Sequence, residues 1–345
     1  MPVHTVLGPV PAETLGPTSM HEHLLSDLRI WAKPSAEAPP DGVPIGPELM
    51  GYLRWNALSV PENLVLHDPD VAVAELAAAR ADGASAVVEL TLPGMGRRLA
   101  ELPDIARRSG VHVCVGGGWY VEPTMPGHIR HAGVDELAAG MVEELTDGIA
   151  GTGIRPALLG EIGTSHPITD AEWRVLRAAG RAGARTGAAV YVHLSFRGRA
   201  GLAVLDALEA EGMPPDRVVL GHLDEHFDPA YHGEIARRGA VLGYDTFGSD
   251  FYYGDPALRN PTDAERLAMV AWLIEQGFAG QLVIGADVWT QANLRHNGGN
   301  GYQHLFRRIM PAIARLATTA RLAGGDADLV DQITVHNPRR LLNRP

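Results

Sequence analysis

The 345-residue chain, with 46% hydrophobic and 20% charged residues, has the composition of a folded soluble protein and not of a disordered or membrane-spanning one. Its net charge of −12 provides no basic stripe with which to bind nucleic acid. The only cysteine, Cys114, lies in an apolar run, which excludes an internal disulfide and indicates a buried, unreactive thiol. No segment has the ~20 apolar residues of a membrane span, and no basic stretch precedes an apolar one near Met1. We therefore expect a cytoplasmic protein that does not bind a membrane.

The first part of the chain leads to a pair of histidines. Residues 3–10 and 15–18 are predicted to form two short strands, joined by a turn with proline and glutamate, that deliver the chain to His21. Residues 25–69 are irregular and rich in proline, and they include two tryptophans. Loops of this length are usually functional or disordered, and the aromatic residues favour an ordered flap over a linker.

From residue 70 onward, helices alternate with short apolar strands. The predicted helices cover residues 70–82, 94–109, 133–150, 170–186, 199–211, 229–238 and 262–276, and the strands after them cover 84–90, 111–115, 156–163, 188–193, 217–222, 240–245 and 281–287. The strand that ends at His21 makes eight, and the remainder of the chain is predicted to be largely helical. Strands that are apolar throughout are typical of a parallel sheet buried on both faces. Eight such units without a linker favour an α/β fold, a single-domain (β/α)8 TIM barrel over residues 1–345, rather than a doubly wound sheet.

Side chains able to bind metal stand at the C-terminal ends of five of these strands. They are His21 and His23 on the first strand, Glu161 on the fourth, His193 on the fifth, His222 on the sixth and Asp287 on the eighth. Any one of them alone could be an ordinary hydrogen-bonded residue. In a barrel, however, these strand ends surround one mouth, where active sites of this fold lie. His21 and His23, two residues apart, face the same side of their strand while Glu22 faces away.

Together the six side chains predict a metal centre that catalyses hydrolysis. Six ligands are more than one zinc ion uses, so we expect two divalent ions bridged by a carboxylate. Two such ions can share a hydroxide whose pKa is lowered towards neutrality, and they can polarise an oxygen of a small-molecule substrate. Zinc is the expected metal for a site rich in histidine, while manganese, cobalt and iron suit the same mixed ligands.

Several local motifs carry a family resemblance. They are Gly8-Pro9-Val10 with Met20-His21-Glu22-His23-Leu24, Gly160-Glu161-Ile162-Gly163-Thr164-Ser165, Gly221-His222-Leu223-Asp224, and Asn337-Pro338-Arg339-Arg340-Leu341-Leu342. With these motifs the chain resembles the amidohydrolase superfamily and, within it, the phosphotriesterase-related family, from about residue 6 to residue 342. The resemblance implies a homodimer. It also implies that His21, His23 and Asp287 hold the more buried ion, and that His193 and His222 hold the more exposed one.

The fourth strand departs from the best-known members of this family. The organophosphate hydrolases and lactonases bridge their metals with a carboxylated lysine, whereas Glu161 occupies that position here. Lys33 is the only lysine in the chain and lies in the early flap, so it cannot take that role. We therefore expect Glu161 to be the bridge, as in the glutamate-bridged homologues, and metal loading that needs no carbon dioxide.

Further roles are predicted for residues around the ligands. The shared hydroxide is expected to attack a carbonyl or phosphoryl centre, with Asp287 taking its proton as the catalytic residue. Asp224 and Glu225 are candidates for orienting His222, with a solvated loop as the alternative. Tyr120 matches an aromatic position that approaches the site in relatives, and packing at the rim is its alternative role.

Substrate selectivity is expected from three loops, at residues 25–69, 247–253 and 289–302. The candidate substrate contacts are Tyr120, Phe247, Tyr252 and Trp289. The apolar residues of the first loop and the aromatic residues of the second suit a partly apolar, uncharged or weakly polar substrate. The resemblance to glutamate-bridged relatives implies a carboxylic ester, lactone or amide as substrate, with weak phosphotriesterase activity. Two alternatives stay open: phosphotriesterase as the main activity, and a barrel that binds a small ligand without turnover.

Overall fold

The computed structural model describes residues 2–196, 198–255, 257–319 and 326–344. At its centre is a sheet of eight parallel strands alternating with helices, which confirms the predicted (β/α)8 barrel. The strands, in chain order, are β1 Pro2–Thr5, β2 Gly8–Pro11, β3 Thr18–Glu22, β4 Ser26–Asp27, β5 Val65–Leu66, β6 Ala86–Glu89, β7 His112–Gly117, β8 Leu158–Gly163, β9 Val190–His193, β10 Val218–Leu220, β11 Val241–Tyr244 and β12 Leu282–Ile284. The barrel consists of β3 and β6 to β12, so each of the eight predicted strands is present.

The barrel is nearly closed between its first and eighth strands. Its strand order is β3-β6-β7-β8-β9-β10-β11-β12, and each neighbouring pair is parallel. Just past the end of β12, Asp287 N–H donates to His21 O at 3.1 Å, and His23 N–H donates to Val288 O at 3.3 Å. These bonds place predicted ligands from opposite ends of the sequence side by side.

Two hydrophobic layers explain why the strands are apolar on both faces. Alternate residues, including Val88, Cys114 and Tyr191, fill the interior of the barrel. Their neighbours, such as Val87 and Val113, pack outward against the helices. Cys114 is buried, as predicted, and burial raises the pKa of its thiol to about 12, which fits an unreactive side chain.

Helices connect the strands and surround the barrel. They are α1 Met50–Trp55, α2 Pro69–Ala81, α3 Leu102–Ser109, α4 Gly127–His131, α5 Val134–Asp147, α6 Asp170–Thr186, α7 Gly201–Ala210, α8 Pro229–Arg237, α9 Asp263–Glu275, α10 Met310–Thr319, α11 Asp326–Asp331 and α12 Asn337–Leu342. The chain after the eighth strand is largely helical, as predicted, although residues 320–325 of that prediction lie outside the described residues. No helix in the described ranges is both long enough and apolar enough to span a membrane.

Two predicted elements in the N-terminal half of the chain differ from the structure. The helix predicted to begin at residue 94 begins at Leu102, because Gly94 and Gly96 have φ angles of 90° and 74°, which a right-handed helix cannot contain. The strand predicted over residues 3–10 is instead a hairpin in which β1 and β2 pair antiparallel. Neither difference moves a predicted ligand.

The flap of residues 25–69, predicted to be irregular but ordered, contains short elements of secondary structure. Within it, β4 pairs antiparallel with β5, and α1 lies between them in sequence. Tyr252 N–H donates to Arg54 O and Gly254 N–H donates to Trp55 O, both at 2.8 Å. The rings of Trp55 and Tyr252 stack with centroids 4.2 Å apart. The flap and the loop after β11 are thus joined into one rim.

Candidate metal centre

Four of the six predicted ligands converge at one point of the barrel mouth. His23 Nε2 lies 3.3 Å from both Glu161 Oε1 and Asp287 Oδ1. His21 Nε2 lies 3.5 Å and 3.6 Å from the same two oxygens. The first, fourth and eighth strands therefore direct two imidazoles and two carboxylates towards a common position.

The other two histidines gather at the second oxygen of Glu161. His193 Nδ1 lies 3.0 Å from Glu161 Oε2, and His222 Nε2 lies 3.6 Å from the same oxygen. His222 Nε2 and His193 Nδ1 are 2.9 Å apart. Glu161 thus presents Oε1 to one group of ligands and Oε2 to the other, which is the placement that a bridging carboxylate needs.

The longer of these distances fit metal coordination better than hydrogen bonds, whereas His193 Nδ1 lies within hydrogen-bond distance of Glu161 Oε2 and of His222 Nε2. Distances near 3.6 Å are too long for a hydrogen bond, and the buried His21 Nε2 has no hydrogen-bond partner in the described part of the chain. Zinc bonds of about 2.0–2.1 Å in tetrahedral geometry hold ligand atoms about 3.4 Å apart. The ligand atoms of His21, His23 and Asp287 all lie within 4.8 Å of one another, as do those of Glu161, His193 and His222. The side chains present can therefore hold two metal ions.

The carboxylates at the mouth of the barrel stabilise positive charge on the neighbouring histidines. Burial raises the pKa of Glu161, but the charge on His21 and the hydrogen bond with His193 outweigh it and hold this pKa well below its usual range. Burial lowers the pKa of His23, but hydrogen bonds with Asp287 and Glu161 outweigh it and raise that pKa to about 9. A metal ion would supply the same positive charge in place of protons on the histidines.

Asp245, which the sequence analysis missed, orients one histidine of each group. It follows β11 and is fully buried. His21 Nδ1 lies 3.0 Å from its Oδ2, and His222 Nδ1 lies 3.0 Å from its Oδ1. Tyr191 OH also donates to Oδ2. An ionised carboxylate only accepts hydrogen bonds, so both Nδ1 atoms carry protons and both Nε2 atoms are free to face the site. The acidic residue at the end of the seventh predicted strand was the available signal.

The orienting role predicted for Asp224 or Glu225 is wrong, because Asp245 occupies the Nδ1 side of His222. Asp224 Oδ2 instead accepts hydrogen bonds from Thr246 N–H at 3.0 Å and from Arg266 Nε–H at 3.0 Å. Both partners in this ion pair are fully buried. Asp224 therefore joins β10, β11 and α9 rather than orienting a ligand.

Two of the predicted substrate contacts lie beside the ligands. Tyr120 Oη is 3.3 Å from His193 Nε2, and the edge of its ring contacts Trp31, with centroids 6.3 Å apart. Trp289 packs on the same small cluster, which also contains Leu92. These side chains form a small apolar cluster, and Tyr120 places it beside His193.

The other two predicted substrate contacts lie elsewhere. The Phe247 ring is only 1% exposed and packs in the outer core, so it does not line the mouth. The alternation of a strand no longer determines side-chain direction past the end of β11, which is why the sequence did not reveal this. Tyr252 stacks on Trp55 at the rim and belongs to the link between the flap and the following loop.

An eight-stranded barrel with clustered histidines and carboxylates at its C-terminal mouth has the form of a barrel enzyme. The model of the Phosphotriesterase family matches residues 1–342. The chain is 36% identical to the N-acetyltaurine hydrolase of Tetraodon nigroviridis, over 99% of this chain and 97% of that protein. The chain therefore belongs to the phosphotriesterase family, as its motifs predicted, and is a hydrolase.

Solved structures agree with this assignment. A resiniferatoxin-binding protein from Rhodobacter sphaeroides superposes with a TM-score of 0.92 at 35% identity, covering 99% of this chain and 95% of that one. The phosphotriesterase homology protein from Escherichia coli, solved with phosphate in its active site, superposes with a TM-score of 0.77 at 28% identity, covering 96% and 99% of the two chains.

Proposed function

We propose that the protein is a two-metal hydrolase that cleaves the amide C–N bond of a small N-acyl amine by attack at its carbonyl carbon, with esters and lactones as related substrates. The observation that carries this proposal is the position of Glu161, whose two oxygens face two separate groups of ligands. The relation to an N-acetyltaurine hydrolase favours an amide over a phosphate triester. We infer weak phosphotriesterase activity as a side reaction.

The residues that would hold the ions divide around Glu161. His21, His23 and Asp287 would hold the more buried ion, and His193 and His222 the other, with zinc as the expected metal. When bound, the ions supply Lewis acidity that activates a water molecule and polarises the carbonyl oxygen. A histidine must have an unprotonated Nε2 or Nδ1 to act as a ligand. The protons that the neighbouring carboxylates stabilise on these histidines would therefore be released when metal binds.

Asp287 and Tyr120 are the residues proposed to act on the substrate. Asp287 is 13% exposed, whereas Glu161 is 2% exposed, so Asp287 can reach water in the mouth and accept its proton. Burial is the main reason that the pKa of Tyr120 lies well above its usual value, so the phenol keeps its proton. It can therefore donate a hydrogen bond to an oxygen of the substrate beside His193.

The walls of the mouth favour a small acyl group. Tyr120 lies against Trp31, and both pack with Leu92 and Trp289 next to the predicted ligands. An acetyl methyl group would contact apolar side chains there, while its carbonyl would face the ligands. We therefore propose N-acetyl amines as the first substrates to examine.

A substrate panel tests this proposal. The protein would be freed of metal with a chelator, reconstituted with zinc, manganese or cobalt, and assayed with N-acetyltaurine, other N-acetyl amines, lactones, aryl esters and a paraoxon-like triester. We expect metal-dependent release of amine that is abolished in D287N, a variant of equal volume that loses both a proposed metal ligand and the proposed proton acceptor. Absence of turnover with every member by the reconstituted protein would overturn the proposal.

A second candidate function is ligand binding without turnover, favoured by the similarity to a resiniferatoxin-binding protein. For a binding protein we expect that one panel member, or a large apolar ester, gives a binding signal in titration calorimetry and is recovered unchanged. Hydrolysis of the same molecule would favour the enzyme instead.

A further inference from the structure

Glu22 lies between the two histidines of the first strand, and its side chain is fully buried. The spacing of the histidines predicts only that it faces away from the metal centre. In the structure it faces the segment that follows β12 and carries Asp287. Glu22 Oε1 accepts a hydrogen bond from Ala286 N–H at 3.2 Å, and Oε2 accepts one from Val288 N–H at 3.0 Å. One carboxylate thus holds the amides on both sides of Asp287.

The first strand holds three successive amides of this segment. Asp287 N–H, between the two that Glu22 binds, donates to His21 O at 3.1 Å. Ser19 OH donates to Glu22 Oε1 at 2.6 Å and fixes the carboxylate from its own strand. Because β12 ends at Ile284, strand pairing no longer sets the path of the chain here. The Glu22 side chain takes the place of the missing backbone acceptors.

Asp287 needs this support because its backbone is left-handed, with a φ of 44°. This conformation is strained for a residue other than glycine and persists only where the surrounding structure holds it. With the backbone held there, Asp287 Oδ1 lies 3.3 Å from His23 Nε2 and 3.6 Å from His21 Nε2. Release of the flanking amides would allow this carboxylate to turn away from both imidazoles.

We propose that Glu22 is a positioning residue that holds Asp287 in the orientation needed for metal binding and proton acceptance, an inference that rests on the proposed function. A carboxylate is required because both of its oxygens face N–H or O–H donors. A glutamine at this position offers one acceptor oxygen, and its NH2 group would face another donor. E22Q should therefore lose the hydrogen bond to Ala286 N–H or the one to Val288 N–H, with almost no change in side-chain volume.

The test compares E22Q and wild type with N337A as a matched control. Asn337 Nδ2 donates to Ala279 O at 2.8 Å and to Leu282 O at 2.7 Å, at the opposite end of the eighth strand. N337A should therefore weaken the same strand without touching residues 285–288. Folding of each full-length protein would be checked by circular dichroism and thermal melting before the measurements.

Two measurements separate positioning from general stability. In metal-free protein, hydrogen–deuterium exchange of residues 285–289 should be faster in E22Q than in wild type and unchanged in N337A. In zinc-loaded protein at 25 °C, E22Q should lower kcat about 10- to 100-fold, as loss of a partner behind a metal ligand does. Its KM should stay within about twofold, because Glu22 touches no substrate, and N337A should keep the wild-type kcat.

The outcomes are distinct from those that test the proposed function. A folded E22Q with wild-type exchange and wild-type kcat would overturn the positioning role. Failure of the hydrolase proposal would appear instead as a wild type without turnover, and the exchange measurement would still decide the role of Glu22. Should E22Q not fold, E22D replaces it: its shorter carboxylate cannot reach both amides, so the same losses are expected and wild-type values would refute the inference.

Discussion

Replacing Asp245 with asparagine perturbs both groups of ligands through one side chain. The Asp245 carboxylate accepts hydrogen bonds from His21, His222 and Tyr191 side chains and from His222 N–H. Asparagine keeps the volume but has one acceptor oxygen, and its NH2 group must face donors on the other side. At least one histidine loses its charge-assisted partner, which contributes roughly 1.5–3 kcal/mol. We expect zinc affinity at that histidine's site to fall about 10- to 100-fold, equivalent to about 1.4–2.7 kcal/mol.

D224N is the matched control for D245N. Asp224 is as deeply buried, but its contacts are with Thr246 and Arg266 and not with a proposed ligand. Removing its charge leaves the buried Arg266 with Asp263 Oδ1, at 3.6 Å, as its remaining carboxylate partner. Loss of one partner of a buried ion pair typically costs about 3–5 kcal/mol of stability, and Asp263 makes the lower end of that range the expectation. D224N should therefore melt at a lower temperature than D245N yet bind zinc more tightly than D245N does.

The assay titrates zinc into metal-free protein in competition with a chromophoric chelator, and thermal melting is recorded on the same samples. If D245N bound zinc at two sites with wild-type affinity, Asp245 would not have the orienting role assigned to it. Equal losses of zinc affinity in D245N and D224N would show that any disturbance of a buried carboxylate in this region weakens the site. That result would also exclude a specific orienting role for Asp245.

Three other expectations concern the bridge, the thiol and an ion pair. Elemental analysis should find two zinc ions per wild-type chain and fewer in E161Q, because an amide cannot bridge as a carboxylate does; full loading of E161Q would exclude the bridging role. Cys114 should not react with a chromogenic thiol reagent until the protein is unfolded, because burial raises the pKa of its thiol to about 12. Rapid reaction of the thiol in the folded protein would contradict this. A hydrogen bond from Arg259 is the main reason that the pKa of Glu265 falls from 4.5 to about 2. The stabilisation by this carboxylate is complete above about pH 4.5 and is lost as the pH falls towards 2. The difference in melting temperature between wild type and E265Q should therefore be smaller at pH 4 than at pH 7, and a difference independent of pH would disprove the assignment.

Much of the fold and of the side-chain cluster at its mouth was predictable because both depend on patterns that are local in sequence. The two-sided hydrophobicity of strands such as Val190–His193 reports burial in a parallel sheet, whatever the neighbouring strands are. Side chains at the C-terminal ends of such strands share one mouth by the geometry of the barrel. His193 and His222 could therefore be assigned to the same site from their positions alone. The late start of the helix after Gly94 and Gly96 could not be predicted in this way, because the conformation of a glycine depends on the contacts around it.

The barrel and the six side chains that face its mouth follow from patterns in the sequence. The way in which those side chains are held depends on contacts that form only when the chain is folded. Asp245 contacts His21 across 224 positions of the chain, and Glu22 binds Ala286 N–H across 264. Such partners are selected when the barrel closes, because closure sets which donors lie within about 3 Å of a buried carboxylate. Burial then requires that these polar groups be paired, and this need for pairing makes Asp245 and Glu22 supports of the candidate metal centre.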